Sequence, residues 1–195
     1  MLVLQAAFQY LLFSENLYFN ALQTQLSYEQ IERIITQGKK WQWVGYVLTP
    51  ILLLMKFSFF AACLSLGLYF ASNRFAFKPF WNFLVQAELI FLLPILIKLL
   101  WFLFVQTDYD LDDLTQFYPL SALNLFDADT LPRYWHYPLA TLNLFEVAYW
   151  FLLAYGVNEV TDLSFWRAFG LVMSSYGLGL LVWVVLVMFL TITYA

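Results

Sequence analysis

The sequence predicts an all-α, polytopic transmembrane helical bundle. Three observations carry that prediction. First, 63% of the 195 residues are hydrophobic and only 11% are charged, against about 45–50% and about 25% in a soluble domain. A globule this small could not hide so much apolar surface from water. Second, 22% of the residues are aromatic. Trp41, Trp43, Trp81, Trp135 and Trp166 stand at or near the starts of apolar runs, as in an interfacial belt. Third, four apolar runs, about 44–70, 80–105, 139–157 and 165–194, each have room for the roughly 20 residues one crossing needs. In hydrocarbon the backbone must satisfy its own hydrogen bonds, which makes these runs helices. The same composition excludes a disordered chain. A net charge of −4 supplies no basic surface for nucleic acid.

The chain divides into an N-terminal region of interfacial helices, 1–43, and a transmembrane domain, 44–195. Met1 to Phe13 is apolar, without the cationic start of a signal peptide. It is also too short to cross, so it reads as an interfacial helix that stays on the protein. Glu15 to Asn20 resembles a protease-tag site, but Asn20 stands where such tags carry Gln. Ser27 and Gln30 form a capping box, followed by an apolar stripe at Ile31, Ile34 and Ile35. Gly38 can close this short amphipathic helix, with Lys39 and Lys40 at its negative end. Pro50 and Pro94 should kink the first two spans.

Between the second and third spans lies a repeat. Tyr118-Pro119-Leu120-Ser121-Ala122-Leu123-Asn124-Leu125-Phe126-Asp127 returns nineteen residues later as Tyr137-Pro138-Leu139-Ala140-Thr141-Leu142-Asn143-Leu144-Phe145-Glu146, with seven of ten positions identical. Pro suits the first turn of a helix. The second copy is expected to run on into the third span. The first meets Asp127, Asp129 and Pro132 and reads as a short re-entrant or interfacial helix at about 119–127. Paired short elements are one mark of a transporter site, with Asn124, Asn143 and Asp127 as its polar candidates. Two similarly built helix starts are the default explanation of the repeat.

The region before the third span is acidic. Thr107 to Pro132 holds six aspartates and no base. Asp108, Asp110 and Asp112 have the opening spacing of a calcium loop, but Asp113 stands where Gly is required and Pro119 where Glu is required. A solvated loop is the default, with a looser cation or basic-partner site as the alternative.

No phosphate loop, nucleophile elbow, zincin or paired-Cys motif occurs. His136 is the single histidine and Cys63 the single cysteine, so neither has the second member that metal or triad chemistry needs. The reading is non-enzymatic, with no cofactor and no metal.

The charges inside the apolar runs are more informative. Lys56, Glu88, Lys98 and Glu146 each cost at least about 2.5–3.5 kcal/mol at mid-bilayer unless paired. Helical rise puts Lys56 and Glu88 about 18–20 Å from the inner face, and Lys98 and Glu146 about 10 Å from it. Two ion pairs are therefore expected, Lys56 with Glu88 and Lys98 with Glu146. Either they are structural, or they line a proton or ion path, or the side chains snorkel to the interface without a partner. In the last span Gly170, Ser174 and Gly177, with Ser175 and Gly179 on an adjoining stripe, suit close helix packing or a dimer seam.

The segment Leu142 to Gly156 carries Leu, Phe, Trp, Leu and Gly in an order that resembles bacterial Yip-domain (Ypt-interacting-protein-like) integral membrane proteins. Leu93-Pro94 in the second span, the short loop from Arg74 to Pro79 and a linker bearing Arg167 are also similar to that family. The resemblance implies a multi-helix domain with a cytoplasmic N-terminus, in a bacterial inner membrane. Lys39 and Lys40 beside the first span favour the same orientation. The family usually has five spans, and a fifth here would be the 117–135 region. The Asp-Leu-Tyr-Gly-Pro motif of eukaryotic members is absent, so a GTPase partner is not carried over. The expected function is to organise or support other membrane components. A small transporter or channel built on the repeat and the buried charges is the first alternative, and an accessory subunit of a larger complex the second. Expected partners are the bilayer and either other membrane proteins or a second copy.

Overall fold

The computed structural model describes residues 2–23, 26–127 and 130–194. Asp129 of the acidic region lies outside them. The described residues form α1 (Leu2–Leu12), α2 (Glu15–Leu22), α3 (Tyr28–Ser72), α4 (Phe77–Ala87), α5 (Leu92–Phe104), α6 (Leu111–Gln116), α7 (Arg133–Thr141), α8 (Leu144–Val160), α9 (Phe165–Val172) and α10 (Leu178–Tyr194). Among them there is no strand, only an isolated antiparallel bridge between Ser121 and Asn143. Three helical stretches are long and apolar enough to cross a membrane: Tyr28–Ser72, Phe77–Phe104 and Phe165–Thr193. The chain is an all-helical membrane protein.

Two compact units divide the chain. The first comprises residues 1–53 and 92–117, the second 54–91 and 118–195. The first unit has a core of Leu12, Leu99, Phe102 and Leu114, edged by Phe8, Phe13, Leu17, Tyr109 and Phe117. The Tyr109 hydroxyl donates to the Leu12 carbonyl at 3.2 Å. The second unit buries Phe60, Leu64, Phe80, Leu84, Tyr149, Leu153, Val157 and Tyr176.

Several helix boundaries differ from expectation. Gly38 does not end a helix, because no glycine takes a positive φ. The Ser27 N–H is capped by Gln30 Oε1 at 2.9 Å, and the chain then stays helical to Ser72. Pro50 removes an N–H from the ladder, and the helix continues through it. One residue earlier, the Thr49 hydroxyl donates back to the Gly45 carbonyl at 2.8 Å. Pro94 acts differently. Glu88–Phe91, immediately before α5, winds as a 3-10 turn, so the second span is broken where Pro94 cannot donate to Ile90.

The repeat is also reassigned. The first copy forms only a four-residue 3-10 turn, Ala122–Leu125, in place of a helix over 119–127. The second copy does not run straight into a span. Pro138 lies inside α7, the chain breaks at Leu142–Asn143, and Asn143 caps α8 by accepting the Glu146 N–H at 2.8 Å. The copies bond each other: the Ala122 N–H donates to the Leu142 carbonyl at 2.8 Å and the Leu144 N–H to the Leu120 carbonyl at 3.1 Å. Leu120 adopts φ 56° to present that carbonyl, a left-handed conformation that a leucine holds only under constraint.

The last span is interrupted by a π-helical turn, Met173–Gly177. A π turn inserts one residue and rotates the helix beyond it. This moves the packed face off the expected stripe. A Cβ on Gly170 meets nothing within 4 Å, and one on Gly177 only touches atoms of its own helix at 3.9 Å. The close approach is on the adjoining stripe: a Cβ on Gly179 would stand 3.3 Å from Cys63 Sγ, and Ser175 packs on Gly67 of α3. Ser174 instead donates to the Leu171 carbonyl at 3.1 Å.

Candidate functional site: a buried polar cluster

The second unit brings polar side chains from four elements into an aromatic interior. Lys56 comes from α3, Glu88 from the 3-10 turn, Glu146 from the first turn of α8, and Tyr176 from the π turn. The two local irregularities of the spans thus each deliver a polar group to the interior. Glu88 and Glu146 are 7% and 5% exposed.

Lys56 and Glu88 meet. Lys56 Nζ donates to Glu88 Oε1 at 2.7 Å and to Oε2 at 3.0 Å. Their side chains are 34% and 8% exposed. Lys56 also lies 5.0 Å from the Phe91 ring centre, a cation–π contact that shields its inner flank. A charged pair with both acceptor atoms engaged is the arrangement that offsets desolvation best.

Glu146 is bonded within its own unit. Its Oε1 accepts from Trp150 Nε1 at 2.9 Å and from the Tyr176 hydroxyl at 2.8 Å. Trp150 is one helical turn on, and the π turn swings Tyr176 toward the carboxyl. Lys98 belongs to the first unit, where its Nζ lies 5.4 Å from the Phe8 ring centre. Depth counting from sequence placed two charges at one level but could not rank an ammonium against aromatic donors.

Aromatic rings wall the cluster. Tyr149 packs against Phe91 and Tyr176, with ring centres 5.0 and 5.6 Å apart, and Phe60 lies 4.5 Å from Tyr176. The Tyr149 hydroxyl and the Ser65 hydroxyl are fully buried and have no hydrogen-bond partner. Tyr149, Trp150 and Tyr176 were not singled out from sequence, since an aromatic excess hides the few rings that bond.

The remaining candidates serve the backbone. Asn124 is exposed and donates to the Tyr118 carbonyl at 2.8 Å. Asn143 caps α8, and Asp127 ends the first repeat copy with its carbonyl accepting from Thr130. Asp110 caps α6 in a box with Asp113, so that part of the calcium-like spacing starts a helix. The His136 ring lies 3.1 Å from the Leu131 carbonyl. Among the described residues no group of three or more His, Cys, Asp or Glu could hold a metal. A cleft of about 390 Å³ is lined by Gly67, Ala71, Leu163, Arg167, Leu171 and Ser174, and does not include Glu88, Glu146 or Asn124.

No protein-family model, curated protein or solved structure matches the chain.

Proposed function

We propose that this protein is a non-enzymatic, Yip-like integral membrane protein that organises or supports other membrane components. The observation that carries the reading is the closure of its interior charges. Lys56 donates to both oxygens of Glu88, and Glu146 Oε1 accepts from Trp150 and Tyr176. What the chain offers outward is apolar helix surface, as at Leu181, Trp183, Leu186 and Phe189 of α10. A photo-crosslinker at Trp183 or Phe189 is expected to form discrete protein adducts in native membranes. Proteoliposomes of the purified chain are expected to stay tight to protons and small ions. Flux above empty vesicles, with adducts to lipid alone, would overturn the reading in favour of a transporter.

The reading includes four crossings, with α8 as the third, in a bacterial inner membrane with the N-terminus cytoplasmic. At 17 residues, α8 is about 26 Å long, close to the roughly 30 Å hydrocarbon core. An ion pair supports the count. Arg74 follows α3, Asp162 follows α8, and they meet at 2.9 Å. The two loops can touch only from one side of the membrane. If α8 did not cross, residue 162 would share the side of residue 110, opposite Arg74. The pair itself is exposed and contributes little stability, so its value is topological. Cysteines at Asp110 and Asp162 are expected to react with impermeant reagents added from opposite sides. Reaction of both from one side would leave three crossings.

A further inference from the structure

We infer that Glu146 is a proton-binding site, holding its carboxyl as the neutral acid inside the aromatic cluster. This goes beyond the organising role and needs no conduction path. Three observations carry it. The first is a count of charges. The titratable or charged groups around Glu146 are Lys56 from α3, Glu88 from the 3-10 turn, Tyr149 from its own helix and Tyr176 from the π turn. One ammonium faces two carboxyls, and it is bound to both oxygens of Glu88. A second buried carboxylate would leave these groups at −1, with Lys56 the one ammonium for two carboxylates, an arrangement a low-dielectric interior tolerates poorly.

The second observation is the asymmetry of the carboxyl. Trp150 and Tyr176 both donate to Oε1, and Oε2 accepts from no described donor. An acid carries its hydrogen on one oxygen and accepts on the other. The third is the Tyr149 hydroxyl, completely buried and unpartnered. It stands three residues after Glu146, on the same helix face. A buried hydroxyl without a partner normally marks a place where a small polar species fits. The oxygen count selects which. With Ser65 Oγ included, no more than three oxygens of the described residues remain uncommitted, Glu146 Oε2 and Tyr149 Oη being the other two, and a metal cation needs about six. A proton needs one. The step balances: an O–H bond of a hydronium ion from solvent breaks, an O–H bond forms on the carboxylate, a water molecule leaves, and the cluster becomes neutral overall.

The test is infrared difference spectroscopy on the full chain in lipid at neutral pH. The wild type is expected to show the carbonyl stretch of a buried carboxylic acid, shifting in heavy water, and Glu146→Gln is expected to lose it. Glu146→Gln is also expected to fold with an unchanged Tm, because its amide oxygen still accepts from Trp150 and Tyr176. No acid band in the wild type, or the same band in Glu146→Gln, would overturn the inference. So would a Tm that rises with sodium but not choline in the absence of an acid band, since the ligand would then be a metal cation.

Discussion

Glu88→Gln is expected to destabilise the folded chain by about 3 kcal/mol, because it leaves the Lys56 ammonium without its counter-charge in an apolar interior. The change is isosteric, so no cavity contributes. The estimate is at the low end of the usual range because the Lys56 side chain keeps 34% of its surface exposed. Adding Lys56→Gln should return at least half of the loss, since the double variant buries two neutral amides that can bond each other. Reversible unfolding in detergent, read by Trp fluorescence, measures all four corners of the cycle. A coupling well outside about 0.5 kcal/mol is expected for groups in direct contact. Simple additivity would mean that the ion pair contributes nothing to folding.

Gly156→Leu is expected to be at least as damaging. Gly156 is buried on α8, and a Cβ there would clash with the edge of the Phe83 ring of α4. Neither helix can move away without opening the interior that Tyr149, Leu153 and Val157 share. Overpacking of this kind costs about 1–3 kcal/mol and sometimes more; the upper part of that range is expected here. Phe83→Ala in the same chain should recover much of the folded yield, because it removes the ring that the new side chain meets. Size-exclusion profile and melting temperature report both effects. Gly170→Leu, on the open face of α9, should change neither, which separates packing geometry from the general cost of a bulkier residue.

Much of this fold was legible because membrane helices advertise themselves through length and composition. The Lys56–Glu88 contact was legible for a related reason. Charges are rare in such runs, so two of opposite sign at one depth have few other partners. The partners that Glu146 has within its own unit were not legible in that way. Its partners are an indole N–H and a phenol, and nothing in a chain with 13 Tyr and 8 Trp marks which ones bond. The π turn was illegible too: Met173 to Gly177 contains residues any helix accepts, and the extra residue is accommodated by packing rather than by local preference. Gly38 misled in the opposite sense. A glycine permits a helix to end but does not require it, and the polar turn around it joins a stronger helix downstream. The repeat shows how far context overrides identity. Leu-Asn-Leu-Phe is the end of a 3-10 turn and its C-cap at 123–126 and the capped start of a helix at 142–145.

The bridge between those two copies has a consequence for how the chain is made. At about 5–20 residues per second, the second copy leaves the ribosome about one to four seconds after the first. Throughout that interval the Leu120 carbonyl and the Ala122 N–H lack the partners that Leu142 and Leu144 later supply. Unpaired backbone of this kind is not admitted to hydrocarbon. The first copy therefore completes its backbone pairing only once the second has emerged. With α8 crossing as proposed, the depth at which it begins would be set by a segment translated before it.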